Sequence, residues 1–130
     1  LSEDKLTDQI TVNMRVDGQE MWYPIVSWGA HWYESNNQWE VLCEDMDEIE
    51  FHIESLIQGN VRTEKISLAQ LPKRSEYSVR LQLETLFLDN KTCRISVRDA
   101  GFGDFFPATD FHAEKTIHLG GNDGKFNSLS

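Results

Sequence analysis

Cysteine is scarce in this chain, which carries only Cys43 and Cys93, far apart along the sequence. Such a pair provides neither the CxxC spacing of a zinc site nor a dense disulfide framework, so neither constraint is expected to shape the fold. Cys93 stands between Thr92 and Arg94 in an alternating segment and reads as a small buried apolar side chain rather than a nucleophile. Cations are scarce too, with 12 Lys and Arg against 22 Asp and Glu and a formal charge of -10. That balance repels a phosphate backbone, and Lys73-Arg74 is the only adjacent basic pair, so nucleic acid is not an expected partner. Long apolar runs are missing as well. None approaches the roughly 18 residues that a spanning helix requires, and no membrane is expected. No secretory leader is visible, so the expected location is cytoplasmic. Leu1 in place of an initiator Met reads as the start of a fragment cut from a longer parent.

The motifs of common chemistries are lacking in the same way. His31, His52, His112 and His118 form no i, i+2 or i, i+4 pair of the kind that holds a metal. Ser67, Ser78 and Ser96 sit in strand-like patterns without a Gly-x-Ser-x-Gly elbow, and Gly101-Phe102-Gly103 lacks the third glycine and following helix of a dinucleotide loop. Asp99, Asp104 and Asp110 could furnish a carboxylate pair for glycoside hydrolysis, but no second catalytic marker accompanies them. The acids Glu44, Asp45, Asp47, Glu48 and Glu50 read as a solvated edge. The alternative is a divalent-cation loop, for which EF-hand spacing and its glycine are missing. The expectation is therefore a protein that is not an enzyme, with no catalytic residue, no metal and no cofactor in this domain.

What is present is period-two patterning. Ile10, Val12, Met14 and Val16 alternate with polar residues over Gln9 to Val16, and Asp17-Gly18 supplies a hairpin turn. Met21 to Trp28 is rich in aromatic and branched residues, and Pro24 within it predicts an edge strand or a strand start. After the Gly29 break, His31 to Cys43 reads as two strand ends joined by the polar stretch Glu34 to Gln38. Ile49, Phe51 and Ile53 alternate with Glu50, His52 and Glu54. Ile49, Ile53, Leu56 and Ile57 would also suit one helix face, and the strand is preferred. Gln58 to Asn60 predicts a turn, Lys65 to Leu71 a short strand, and Pro72 to Glu76 a polar corner. Val79, Leu81 and Leu83, the turn at Asp89-Asn90, and Cys93, Ile95 and Val97 then predict a long hairpin, with a last strand at Thr116 to Leu119. The predicted fold is all-β, an antiparallel β-sandwich of about seven or eight strands. Residues 1–8 are read as a linker or fragment start, 9–119 as the sandwich and 120–130 as a disordered tail.

The order of landmarks in the second half resembles a known family. Gln58-Gly59 with Arg62 precedes Ile66-Ser67-Leu68-Ala69-Gln70-Leu71-Pro72, then a hairpin from Tyr77 to Val97, closed by Arg98-Asp99-Ala100-Gly101. This series, over roughly Glu48 to Gly103, resembles the β-sandwich substrate-binding domain of the 70-kDa heat-shock chaperones. Ile10 to Met21 and Trp39 to Ile53 fit its first strands more loosely. The Thr-Ile-Pro of that family and its helical lid have no counterpart, which makes the chain look like a divergent, lid-less relative. The resemblance implies an extended apolar peptide held between loops by backbone hydrogen bonds and a side-chain pocket, without chemistry. Carried over by position, the implied peptide-binding residues are Met14, Val16, Trp39, Met46 and Ile49. Ile49 also reads as plain core, whereas Met46, a flexible thioether in an acidic stretch, suits adaptable binding. Implied partners are unfolded or extended peptide segments, or a neighbouring domain of the same parent, an ATP-binding domain among the candidates.

A rival reading uses the aromatic cluster. Trp22, Tyr23, Trp28, Trp32, Tyr33 and Trp39 crowd into less than a quarter of the chain. In a row they would form a stacking platform for sugars or a partner protein. Buried core is the competing role for at least two of the tryptophans.

Overall fold

The computed structural model describes residues 4–44, 46–74 and 79–120. Eight strands follow in chain order: β1 (Asp8–Val16), β2 (Gln19–Val26), β3 (Gln38–Cys43), β4 (Glu48–Ser55), β5 (Val61–Ser67), β6 (Val79–Asp89), β7 (Thr92–Asp99) and β8 (His112–His118). They form two four-stranded sheets, ordered β2-β1-β4-β5 and β3-β6-β7-β8, with every pairing antiparallel. The all-β antiparallel sandwich is thus what the period-two patterning encodes.

The alternation sets which face is dry. Ile10, Val12 and Met14 on β1 and Ile49, Phe51 and Ile53 on β4 are buried against Val79, Leu81 and Leu83 on β6 and Cys93, Ile95 and Val97 on β7. The residues between them are half-exposed or exposed. Turn chemistry fixes the registers. Asp17 and Gly18 both take positive φ, 53° and 74°, the geometry that lets a two-residue loop follow strand twist, and Val16 pairs with Gln19 across it. At the β6–β7 hairpin Asp89 accepts from the Lys91 amide at 2.8 Å, closing the turn that precedes β7.

Several segments depart from expectation. Of the two strand ends expected between His31 and Cys43, the second is β3, whereas the first makes only an isolated bridge at His31. Trp32–Glu34 is a short 3-10 turn, and residues 35–37 dock on β6 through Thr85 Oγ1 to the Ser35 carbonyl at 2.8 Å and the Phe87 amide to Asn36 Oδ1 at 2.7 Å. Long-range side-chain bonds there outcompete local β-propensity. The fifth strand starts at Val61 and stops at Ser67 instead of running from Lys65 to Leu71. Its mixed polar sequence conceals it, and Leu68 and Leu71 are buried in the turn that follows. The eighth strand begins at His112, four residues before the expected start, because its exposed residues dilute the apolar signal. Leu6 lies in the core, Lys5 bridges to His31, and Asp8 opens β1, so the packed domain includes part of the segment read as a linker. The end of the corner expected at Pro72 to Glu76 and nearly all of the tail expected to be disordered lie outside the described residues.

Candidate functional site, a groove along two strand edges

A sandwich of two open sheets has two sides where edge strands face each other, and here the sides differ. On one, β5 lies against β8 and is stitched to it. Lys115 Nζ donates to the Lys65 carbonyl at 3.0 Å and pairs with Glu64 at 3.2 Å, and the Arg62 guanidinium donates to the His118 carbonyl. On the other, β2 and β3 leave between them a groove of about 400 Å³. Its floor is Val12, Val16 and Leu83, and its walls are Tyr23, Pro24 and Ile25 of β2 and Trp39, Glu40, Val41 and Leu42 of β3.

The order of those wall residues is informative. Successive side chains of a strand point to opposite faces, so a wall made of consecutive residues is lined by the backbone edge itself. Among the described residues neither β2 nor β3 has a second sheet neighbour. The groove therefore offers peptide N–H and C=O groups along its rims and apolar side chains in its depth.

Of the residues carried over from the family resemblance, Val16 and Trp39 come together in this groove. Met14 and Ile49 do not. Each is wholly buried in the core, with no measurable exposure, because each continues the inward face of its strand, and neither presents a surface to a ligand. Met46 packs half-buried against the core just before β4 and is not part of the groove wall. Tyr23, Ile25 and Val41 were missed. Pro24 marks β2 as an edge in the sequence, but no sequence signal says which strand faces it across the sandwich.

The four tryptophans form no row. Trp22 stacks on His52 at 3.9 Å, and His52 lies 3.1 Å from Glu50. Trp28 donates to the Glu54 carbonyl at 3.3 Å. Trp32 sits in the 3-10 turn and Trp39 in the groove, both half-buried against the core. The acids around β4 disperse as well: Glu44 accepts from the Gly18 amide, Asp47 pairs with Lys73, Glu48 with Lys65 and Glu50 with His52. Asp45 lies outside the described residues. Among the described residues no group of three or more His, Cys, Asp or Glu is placed to hold a metal ion, and no helix is long and apolar enough to cross a membrane.

At one end of the molecule a polar clamp fixes the loop between β7 and β8. Arg74 grips Asp99 with two hydrogen bonds, and Asp99 also accepts from the amides of Gly101 and Thr109 and from the Thr109 hydroxyl, at 2.8 to 3.0 Å. Burial alone would raise the Asp99 pKa, but the bonds from Arg74, Gly101 and Thr109 outweigh it and hold the carboxyl at about 2. The loop so fixed leaves Phe105 93% exposed at its tip. Cys93 is buried in the interior, which pushes its thiol up to about 12 and removes it from nucleophilic chemistry at neutral pH.

Fold and site together define an antiparallel β-sandwich with one stitched side and one open, apolar side. The chain belongs to the DUF8552 family, described as a domain of unknown function, whose model matches residues 5–119. That match begins where the packed structure begins, one residue before the buried Leu6. No curated protein and no solved structure matches the chain.

Proposed function

We propose that this domain binds an extended apolar segment of another protein in the groove between β2 and β3, without chemistry. The observation that carries the reading is the pairing of two unpartnered strand edges with an apolar floor, which supplies both elements of strand-type peptide recognition: main-chain bonds for affinity and alternate side-chain pockets for selection. The resemblance to the heat-shock substrate-binding domain supports the same ligand class, and a chaperone-like parent belongs to this proposal. The groove differs from that family's expected site in running along strand edges rather than between loops.

A second reading has one observation in its favour. Trp22 is exposed and stacked on His52 beside Glu50, which is the kind of surface that stacks on a sugar. Titration separates the two. Apolar heptapeptides are expected to shift the tryptophan emission through Trp39, and Val16→Phe, which narrows the groove, is expected to abolish that shift while the melting temperature holds within a few degrees. A response to soluble glycans that is lost in Trp22→Ala would favour the sugar reading, and silence toward both ligand sets would remove the peptide proposal.

A further inference from the structure

An exposed sheet edge invites unwanted pairing, and proteins guard against it with proline, bulges, charged residues or a covering element. Three of the four edge strands here carry such guards. Pro24 interrupts β2, whose pairing with β1 shifts register between Ile10 and Thr11. Strands β5 and β8 carry Arg62, Lys65 and Lys115 and are tied together by them. Strand β3, Gln38–Cys43, has no proline, no glycine and no cation, and its only charge is Glu40. It also offers apolar side chains on both faces, although the outer one carries Gln38 and Glu40 too. Trp39 and Val41 face the groove, and on the outer face Leu42, 55% exposed, borders a depression of about 340 Å³ with Phe102. An added strand sends alternate side chains to opposite faces, so one laid on β3 would find apolar contact on both.

Charge selects the occupant. The chain carries a net charge of -10, and Glu40 stands in the middle of the free edge. The nearby cation, Arg80, directs Nε to the Gly101 carbonyl at 2.8 Å and a terminal nitrogen to the Ala100 carbonyl at 3.2 Å, with Glu40 3.9 Å away. Its donors are largely committed to holding the β7–β8 loop. A second copy of this chain would bring another Glu40 to the junction and another net charge of -10 to the complex, and like charges opposed across a strand pair destabilise it. Building on the groove reading above, we infer that the occupant is a lysine- or arginine-bearing extended segment of another protein, added to the free edge of β3 as a fifth strand of the sheet β3-β6-β7-β8.

The test uses the whole chain and three synthetic peptides sharing a core of Val-Thr repeats. One has lysines at both ends, one has glutamates there, and one is the lysine peptide with alternate backbone nitrogens methylated. The lysine peptide is expected to bind at least roughly tenfold tighter than the glutamate peptide, to weaken as ionic strength rises from about 0.05 to 0.5 M, and to lose this preference in Glu40→Gln. The methylated peptide, unable to donate to the edge, is expected not to bind. Equal binding of the lysine and glutamate peptides would overturn the charge inference and leave the groove reading standing, and undiminished binding of the methylated peptide would overturn strand addition. Failure of all three peptides removes the groove reading itself. Sedimentation showing a dimer that Glu40→Gln strengthens or Val41→Lys breaks would identify a second copy as the occupant and overturn the inference.

Discussion

Arg74 and Asp99 form a two-pronged ion pair, at 2.9 and 2.5 Å, whose side chains are only 3% and 0% exposed. Arg74 follows β5 in one sheet and Asp99 ends β7 in the other, so the pair ties the two layers together at one end. Phe106 lies 5.8 Å from the guanidinium and helps to cover it. A buried charge that loses its partner is left unsolvated and unpaired. Asp99→Ala and Arg74→Ala are each expected to cost about 3 to 5 kcal/mol in urea unfolding, with the double variant costing much less than the sum. Additive losses would show that the two side chains act independently.

The same carboxylate makes stability depend on acid. With its folded pKa held at about 2, below the ordinary 3.8, Asp99 contributes stability that is fully present above pH 4 and is lost as the pH falls through 2. The contribution is about 2 kcal/mol. Urea midpoints measured between pH 5 and pH 2 are expected to fall along this range, and the corresponding slope is expected to shrink in Asp99→Asn. An identical slope in that variant would assign the acid sensitivity to other groups.

Two glycines of the loop beyond β7 separate conformation from space. Gly101 and Gly103 both have positive φ, 76° and 68°. A Cβ at Gly101 would lie 2.5 Å from the Ala108 backbone nitrogen, whereas nothing lies within 4 Å of one at Gly103. Gly103→Ala is expected to cost about 1 kcal/mol, the ordinary left-handed penalty, and Gly101→Ala roughly 2 kcal/mol more, because backbone must move. Equal melting temperatures for the two variants would contradict this account.

Ile49 and Leu81 report on the core. Both are fully buried. Ile49→Phe is expected to destabilise by about 1 to 3 kcal/mol through overpacking, and Leu81→Asp is expected to leave no folded domain, since total stability is about 5 to 15 kcal/mol. A cooperative melt for Leu81→Asp near the wild-type temperature would refute the core assignment.

Thiol chemistry gives an independent check on burial. Cys43 and Cys93 are both buried and not joined in a disulfide, and the Cys93 thiol is pushed up to about 12. The native protein is expected to react with a disulfide reagent at pH 8 only as fast as it opens, and urea is expected to expose both thiols at once. Rapid modification of Cys93 in the native state would contradict the placement of β7.

Strong alternation was readable wherever one face of a strand is dry and the other wet, as at Ile10 to Val16 and Val79 to Val97. It was faint where a strand lies at a sheet edge. Val61–Ser67 and His112–His118 bury little beyond Ile66 and Ile117, so their sequences carry almost no period to detect. The stretch His31 to Asn37 misled in the opposite sense, because its aromatic residues suit a strand while Thr85 on β6 holds its backbone and the Phe87 amide holds its Asn36 side chain. The candidate groove was legible only in part. Val16 and Trp39, two of its ten lining residues, sit at positions that the resemblance singled out, whereas Met14 and Ile49 are fully buried in the core.

The amino-acid order by itself determined the strand periodicity, the left-handed turn at Asp17-Gly18, the long hairpin of β6 and β7 and the acidic surface, because each depends on neighbours in sequence or on composition alone. Which strands are edges, which side of the sandwich is stitched and which is open were decided only by tertiary structure. A backbone edge is free or paired according to what lies beside it in space: Glu40 sees Arg80 only once β3 has paired with β6, and Arg62 the carbonyl of His118 only once the two sheets have packed.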